Sequence, residues 1–310
     1  MSLRLEAISL ILRLVNKPRL ARMRGADLPA ARRVVERMAP RIMRAPRGAS
    51  FREEAGPPRL LWTGPQADAP EAAGRAILYL HGGGFVLCSP HTHRHLSAAL
   101  AQAAGAPAAM AYYRLAPEHP HPAQVQDMLA AYRALLERGL RVAVAGDSAG
   151  GGLAFALTPA ARAAGLPDPA GVVGFSPWCD MTMSSPTLTA NARADAMLPV
   201  GRMAEVVRLR MGGGDPADPL ASPILTRFDR PPPPALIFAS RREILAGDAE
   251  AMAAAWARGG GAARVVWSER APHAWPLFVG WSSASDAAAA EAGGFLRAAL
   301  AGAGPDRGAP

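Results

Sequence analysis

Short, mostly apolar runs recur along the chain, each followed by a longer stretch of mixed character. They lie at 76–80, 107–112, 141–145, 171–175, 235–240 and 263–267. A strand buried on both faces reads as a near-continuous apolar run and not as strict alternation. Between the runs, apolar residues recur at helical spacing out to Leu300. Strands alternating with helices predict an α/β fold, a mostly parallel, doubly wound sheet flanked by helices. Weaker edge strands are expected within 50–63, and no repeat of 20–50 residues is found.

Two segments do not fit that alternation. Leu3, Leu5, Ile8, Leu12 and Val15 fall near one helical face within residues 1–45, with Arg4 and Arg13 elsewhere. Residues 181–214 are rich in Met and Leu, with an amphipathic run at Met203–Met211. Both read as helices with no strand to join, and a lid over an apolar pocket is their natural use. The expected organisation is N-terminal cap helices at 1–45, a first core part at 46–180, a cap insertion at 181–225 and a second core part at 226–310. A chain of 310 residues with 50% apolar content suits one large domain of this kind.

The formal charge is +9, which could point to nucleic acid or an anionic surface. Lys17 is the only lysine, and the arginines are spread along a chain heavy in Ala, Gly and Pro. That pattern reads as compositional bias, with only Arg19–Arg47 locally basic, so no nucleic-acid partner is expected. Ala7–Val15 is too short to span a bilayer and lacks the features of a signal peptide. No stable membrane insertion is expected, and association into a homodimer stays open. Cys88 and Cys179 read as free thiols of a cytoplasmic protein.

The chemistry centres on Gly-Asp-Ser-Ala-Gly at 146–150, between the run 141–145 and the small residues Gly151–Ala156. Strand, sharp turn and helix in that order describe a nucleophile elbow, in which small flanking residues let Ser148 adopt a strained backbone. Upstream, the run ending at Leu80 leads into His81-Gly82-Gly83-Gly84-Phe85. Consecutive glycines let backbone N–H groups point into a cavity. Gly82, Gly83, Gly84 and Ala149 are therefore candidate donors to an oxyanion. Asp147 reads as a hydrogen-bonded support of the elbow.

An elbow serine takes its acid and then its histidine from further along the chain. His273 is the only histidine after Ser148 and becomes the candidate general base. Glu243 and Asp248 both follow the run 235–240. Glu243 is favoured because it lies nearer the strand's carboxyl end, whereas Asp248 fits the cap of a helix over 249–258. The other histidines, at 81, 91, 93, 95, 119 and 121, repeat no metal-ligand spacing, so neither metal nor cofactor is expected. Met203, Val207 and Met211 are candidate pocket residues with Phe85 and Trp275, although packing within the cap explains the first three equally well.

At this point the chain resembles the hormone-sensitive-lipase-like branch of the α/β-hydrolases, the bacterial family IV carboxylesterases. The resemblance rests on His81–Phe85, Tyr113–Pro120, Gly146–Gly150, Ser176-Pro177-Trp178 and Asp218–Pro223, and covers nearly the whole chain. It implies Ser148 as nucleophile, His273 as base, and Gly83, Gly84 and Ala149 as oxyanion donors. Glu243-Ile244-Leu245 stands where the family usually has an aspartate. The resemblance also implies a helical cap, short- to medium-chain acyl esters and an acyl-enzyme. Amide, carbamate or lactone hydrolysis would use the same residues. A non-catalytic receptor on this fold would lack the histidine. Ala239 replaces a common glycine, and Pro159 is expected to kink or end the helix after the elbow early. Within Tyr113–Pro120, Arg114 and Glu118 are expected to pair and hold a loop that buttresses the glycines.

Overall fold

A computed structural model describes residues 3–302. Residues 1, 2 and 303–310, the ends of the outer two predicted segments, lie outside the described residues. Eight strands form one sheet: β1 Phe51–Glu54, β2 Leu60–Thr63, β3 Arg75–Leu80, β4 Ala108–Ala111, β5 Arg141–Asp147, β6 Val172–Phe175, β7 Ala235–Ser240 and β8 Ala263–Ser268. Their order is β1-β2-β4-β3-β5-β6-β7-β8. β1, β2 and β4 pair antiparallel, and every other pairing is parallel.

The helices are α1 Leu3–Ile11, α2 Lys17–Arg22, α3 Leu28–Ile42, α4 Pro70–Ala73, α5 Pro90–Ala104, α6 Ala123–Glu137, α7 Ser148–Ala163, α8 Thr187–Ala190, α9 Val200–Met211, α10 Ala246–Arg258 and α11 Ser283–Ala301. A π-helical turn, Leu12–Asn16, joins α1 to α2. The sheet has core on both sides. Leu78, Leu80, Val142 and Val144 face a cluster shared with α6, α7, α9 and α10. Ile77, Tyr79, Ala143 and Ala145 face one shared with α5 and α11. With both faces covered, the inner strands β3 to β7 carry near-continuous apolar runs, which is the pattern the sequence shows.

Three local expectations need correction. Leu5 and Leu12 are buried, but Leu3 is 84% exposed and Val15 is exposed too. Residues two apart on an α-helix point in nearly opposite directions, so Leu3 and Leu5 cannot share a face. α7 runs through Pro159 to Ala163 without ending early. Nearly all its residues from Ala149 to Ala161 are buried, and tertiary packing outweighs the single lost backbone bond. α10 begins at Ala246, ahead of Asp248, so Asp248 lies inside the first turn and is not its cap.

Winding runs from β3 outward to β4 and then returns to place β5 on the other side of β3. In open α/β sheets the crevice forms where the winding reverses, at the strands' carboxyl ends. Here that point is framed by the segments after β3 and β5, which carry His81–Phe85 and Ser148.

Candidate active site

The elbow is built by close approach. Ser148 has φ +51°, a left-handed conformation uncommon for a residue with a side chain. A Cβ on Gly150 would lie 2.1 Å from the Leu80 carbonyl oxygen, and one on Gly146 would lie 2.3 Å from that of Gly150. Gly150→Ala should therefore lower the melting temperature by several degrees, because overpacking of this kind costs about 1–3 kcal/mol. A thermal melt of the variant checks it; an unchanged melting temperature would mean the elbow can relax.

Asp147 anchors the glycine loop to the elbow. It accepts hydrogen bonds from Tyr79 Oη at 2.7 Å and from the Gly82 N–H at 3.0 Å. His93 Nε2 lies 3.2 Å from its other oxygen. Burial opposes ionisation of Asp147, but His93 and the hydrogen bond from Tyr79 hold its carboxyl below the usual value. The bond from Gly82 corrects one expectation: that N–H is committed to Asp147 and cannot also serve an oxyanion. Gly83, with φ +108°, and Gly84 remain, and their N–H groups meet no acceptor among the described residues. Ala149 stands in the first turn of α7, where N–H groups lack intrahelical partners.

The loop is held from outside as well. Tyr113 Oη donates to the His81 carbonyl at 2.6 Å, and the two rings stack at 4.2 Å. Burial pushes His81 down to about 3, so it is a neutral ring. Arg114 does not pair with Glu118. It forms bonds to Asp127 at 2.8–3.0 Å, while Glu118 meets Arg32 of α3 at 2.8 Å. A partner thirteen residues on lies on the facing helix α6, whereas the turn at 115–120 points Glu118 outward. Arg32 also donates to the carbonyls of Val86 and Ala116, at 2.8 and 2.7 Å.

His273 sits over the carboxyl ends of β6 and β7. The N–H of Ala274 donates to Ser176 Oγ at 2.9 Å, just past β6. His273 Nδ1 lies 2.6 Å from Glu243 Oε2, and both side chains are almost fully buried. Glu243 Oε1 accepts the Ser240 N–H at 2.8 Å, which orients the carboxylate. Burial alone would push His273 down, but the hydrogen bond and charge of Glu243, with Asp195 and Asp147 behind, hold it above its ordinary value. Asp248 instead accepts the N–H groups of Cys179 and Asp180 at 2.9 and 3.0 Å. Burial pushes its carboxyl well above the ordinary range.

Of the candidate pocket residues, Met203, Val207 and Met211 of α9 pack into the core cluster that includes Phe85. Phe85 is fully buried beneath the Arg210 guanidinium, 3.6 Å from its ring centroid. Trp275 is not with them. It packs against Phe238 in the cluster on the opposite sheet face, because the turn Trp275–Phe278 folds under toward α5 and α11.

Sequence reasoning missed the residues that hold the acid loop. Asn191 Nδ2 donates to the carbonyls of Arg241 and Glu243, at 2.9 and 2.8 Å. Asp195 Oδ2 accepts the Ile244 N–H at 2.9 Å. The same segment is gripped from the N-terminal helices. Arg13 donates to the carbonyls of Arg193 and Ala194, and Lys17 to those of Ala192 and Asp195, all at 2.6–2.7 Å. These contacts span 49 to 181 residues and leave no spacing signature. The Ser-Pro-Trp motif after 171–175 was the one available signal for Ser176.

A family model described as alpha/beta hydrolase fold matches residues 77–277. An acetyl-hydrolase of Streptomyces hygroscopicus is 45% identical over 185 residues, covering 58% of this chain and 60% of the relative. The carboxylesterase/phospholipase LipF of Mycobacterium tuberculosis is 37% identical over 218 residues, covering 67% of this chain and 58% of the relative. The chain thus spans about three-fifths of the length of these curated relatives. Solved structures match over more. The esterase EstE5, soaked with p-nitrophenyl butyrate, superimposes with a TM-score of 0.87 at 33% identity, covering 97% of this chain and 100% of its own. An esterase from the bacterial hormone-sensitive lipase family gives 0.87 at 34% identity, covering 97% and 99%.

Proposed function

Because this chain belongs to the alpha/beta-hydrolase family, in its hormone-sensitive-lipase-like branch, we propose that it is a carboxylic ester hydrolase acting through Ser148, His273 and Glu243. The observation that carries this reading is the buried pair of Glu243 and His273, 2.6 Å apart, together with the left-handed backbone of Ser148 at the end of β5. Glu243 fixes the Nδ1–H tautomer and stabilises the imidazolium. His273 Nε2 then takes the Ser148 proton as Oγ attacks the ester carbonyl. The N–H groups of Gly83, Gly84 and Ala149 receive the oxyanion. His273 gives its proton to the leaving alcohol. Water, deprotonated by the same nitrogen, releases the acid and restores Ser148.

The N-terminal helices and residues 181–225 act as the cap in this reading. Their cross-bonds through Arg13 and Lys17 support treating them as one unit. The family resemblance implies short to medium acyl chains, and the inward packing of Met203, Val207 and Met211 supports a limited space beneath the cap. The test is a p-nitrophenyl ester series from acetyl to dodecanoyl. Turnover should be highest at the short end and fall steeply with length. No turnover of any ester would overturn the assignment.

The base must be neutral to act, so activity falls as His273 protonates. Glu243 holds its pKa above the ordinary 6.5. The acid limb of kcat/KM should therefore have its midpoint above that value, with activity still rising between pH 6.5 and 7.5. A limb flat from about pH 5 to 8 in folded protein would contradict a histidine base.

A further inference from the structure

The outer surface of the N-terminal helices is unlike the rest of the molecule in two respects. Residues 1–48 hold twelve basic and three acidic side chains, a local charge of +9 that equals the +9 of the whole chain, so residues 49–310 are neutral. Eight of the nine large apolar side chains exposed among the described residues lie between Leu3 and Ile42. Charge and exposed apolar surface are thus concentrated in the same short segment. Compositional bias does not account for this, because bias would spread both along the chain.

The arrangement is ordered. Leu3, Leu10 and Leu14, spaced at i, i+7 and i+11, are 84%, 55% and 65% exposed, while Leu5 and Leu12 face inward. The first helical segment, α1 with the π-helical turn that follows it, is therefore apolar on both faces. On α3, Val34, Met38 and Ile42 form an exposed stripe at i, i+4 and i+8. Arg33, Arg37 and Arg41 run beside it at the same spacing and are exposed too. The two helices meet around one loop. Leu3 and Arg4 border a groove with Trp281, and Trp281 Nε1 donates to the Ile42 carbonyl at 3.2 Å. The Arg44 guanidinium lies over the Trp281 ring, 4.8 Å from its centroid.

We propose that this face docks reversibly on an anionic lipid surface, with the leucine and Val34–Met38–Ile42 stripes entering the headgroup boundary and the arginines binding lipid phosphates. Apolar side chains flanked by arginine are what an interfacial helix presents. A second copy of the chain would bring +9 against +9, and nucleic acid gives the leucines nothing to bury against. No helix among the described residues is long and apolar enough to cross a membrane, so the contact is peripheral. The inner faces of these same helices carry Arg13 and Arg32, which hold the acid-loop neighbour and the glycine loop. Docking would set the candidate site about one helix diameter, roughly 10 Å, from the lipid. This goes beyond the proposed activity and does not depend on it.

The test is sedimentation of the full chain with vesicles of phosphatidylcholine alone and of phosphatidylcholine with phosphatidylglycerol. Wild type should prefer the anionic vesicles by roughly tenfold or more and lose binding as salt rises. Arg33→Gln, Arg37→Gln and Arg41→Gln together should weaken that binding roughly a hundredfold, since each cation near the surface contributes about a factor of five. Leu10→Ser with Val34→Ser and Met38→Ser should weaken it by roughly tenfold or more. Melting temperature, not activity, reports whether each variant is folded. Equal binding to both vesicle types, or folded variants that bind as wild type does, would overturn the proposal. So would a concentration-dependent dimer that the apolar variant dissolves, which would make a second copy the occupant.

Discussion

Ser148→Ala is expected to remove ester hydrolysis by a factor on the order of 10⁴–10⁶ in kcat while leaving the fold unchanged. The size of the loss follows from the proposed role: without Oγ there is no acyl-enzyme, and the positioned base and oxyanion donors have no nucleophile to assist. The fold should survive because the elbow is held by groups other than the serine side chain. Asp147 ties it to the glycine loop, and the Ser148 carbonyl accepts the Trp178 N–H at 2.9 Å. Alanine meets the same backbone strain at φ +51° as serine does. Kinetics with p-nitrophenyl butyrate, alongside a thermal melt, check both halves. A well-folded variant that keeps more than about a tenth of wild-type activity would rule Ser148 out as nucleophile.

The second large effect separates two buried carboxyls. Glu243→Gln should lower kcat by roughly 10²–10⁴, because the amide can neither hold the tautomer nor stabilise the imidazolium. It should also move the acid limb of the residual activity to lower pH. Burial lowers the His273 pKa and Glu243 raises it, so removing the charge lets burial prevail. Asp248→Asn should do little. Asp248 serves two backbone N–H groups through one oxygen, which asparagine also offers. Burial pushes its carboxyl well above the ordinary range and so disfavours the charge that asparagine removes. Asp248→Ala, by contrast, leaves two buried donors unmet and should cost about 1–3 kcal/mol of stability with a modest effect on rate. Loss of catalysis in the asparagine variant, with the glutamine variant near wild type, would reverse the assignment.

The sheet was legible because its inner strands are buried on both faces, and runs such as Ala235–Ser240 carry that burial in their composition. The short antiparallel strands β1 and β2 were less visible. Phe51–Glu54 has two adjacent glutamates that pair outward with Arg59, Arg52 and Arg138, so no apolar run marks it. Helix orientation at the N-terminus was misread for a specific reason: α1 is apolar on both sides, and periodicity alone cannot say which side meets the core. Chain order and strand position pointed to Glu243 and His273, which lie within hydrogen-bond distance. Sequence could not reveal what steadies them. Asn191, Asp195 and Ser176 act by donating to or accepting from distant backbone groups, and such contacts exist only after the sheet has brought the loops together. Gly82 shows the opposite limit. All three glycines look equivalent in sequence, and only the folded position of Asp147 takes one N–H away from the oxyanion.

The central claim is that turnover passes through an ester of Ser148. It is tested most directly by quenching the enzyme with acid during the first turnovers of p-nitrophenyl acetate and locating the added acetyl group by mass spectrometry of the digest. The account predicts one acetyl group per chain, on the peptide that holds Ser148, appearing with a burst of p-nitrophenol and absent from Ser148→Ala. An acetyl group carried through turnover on any other residue, with none on Ser148, would contradict it.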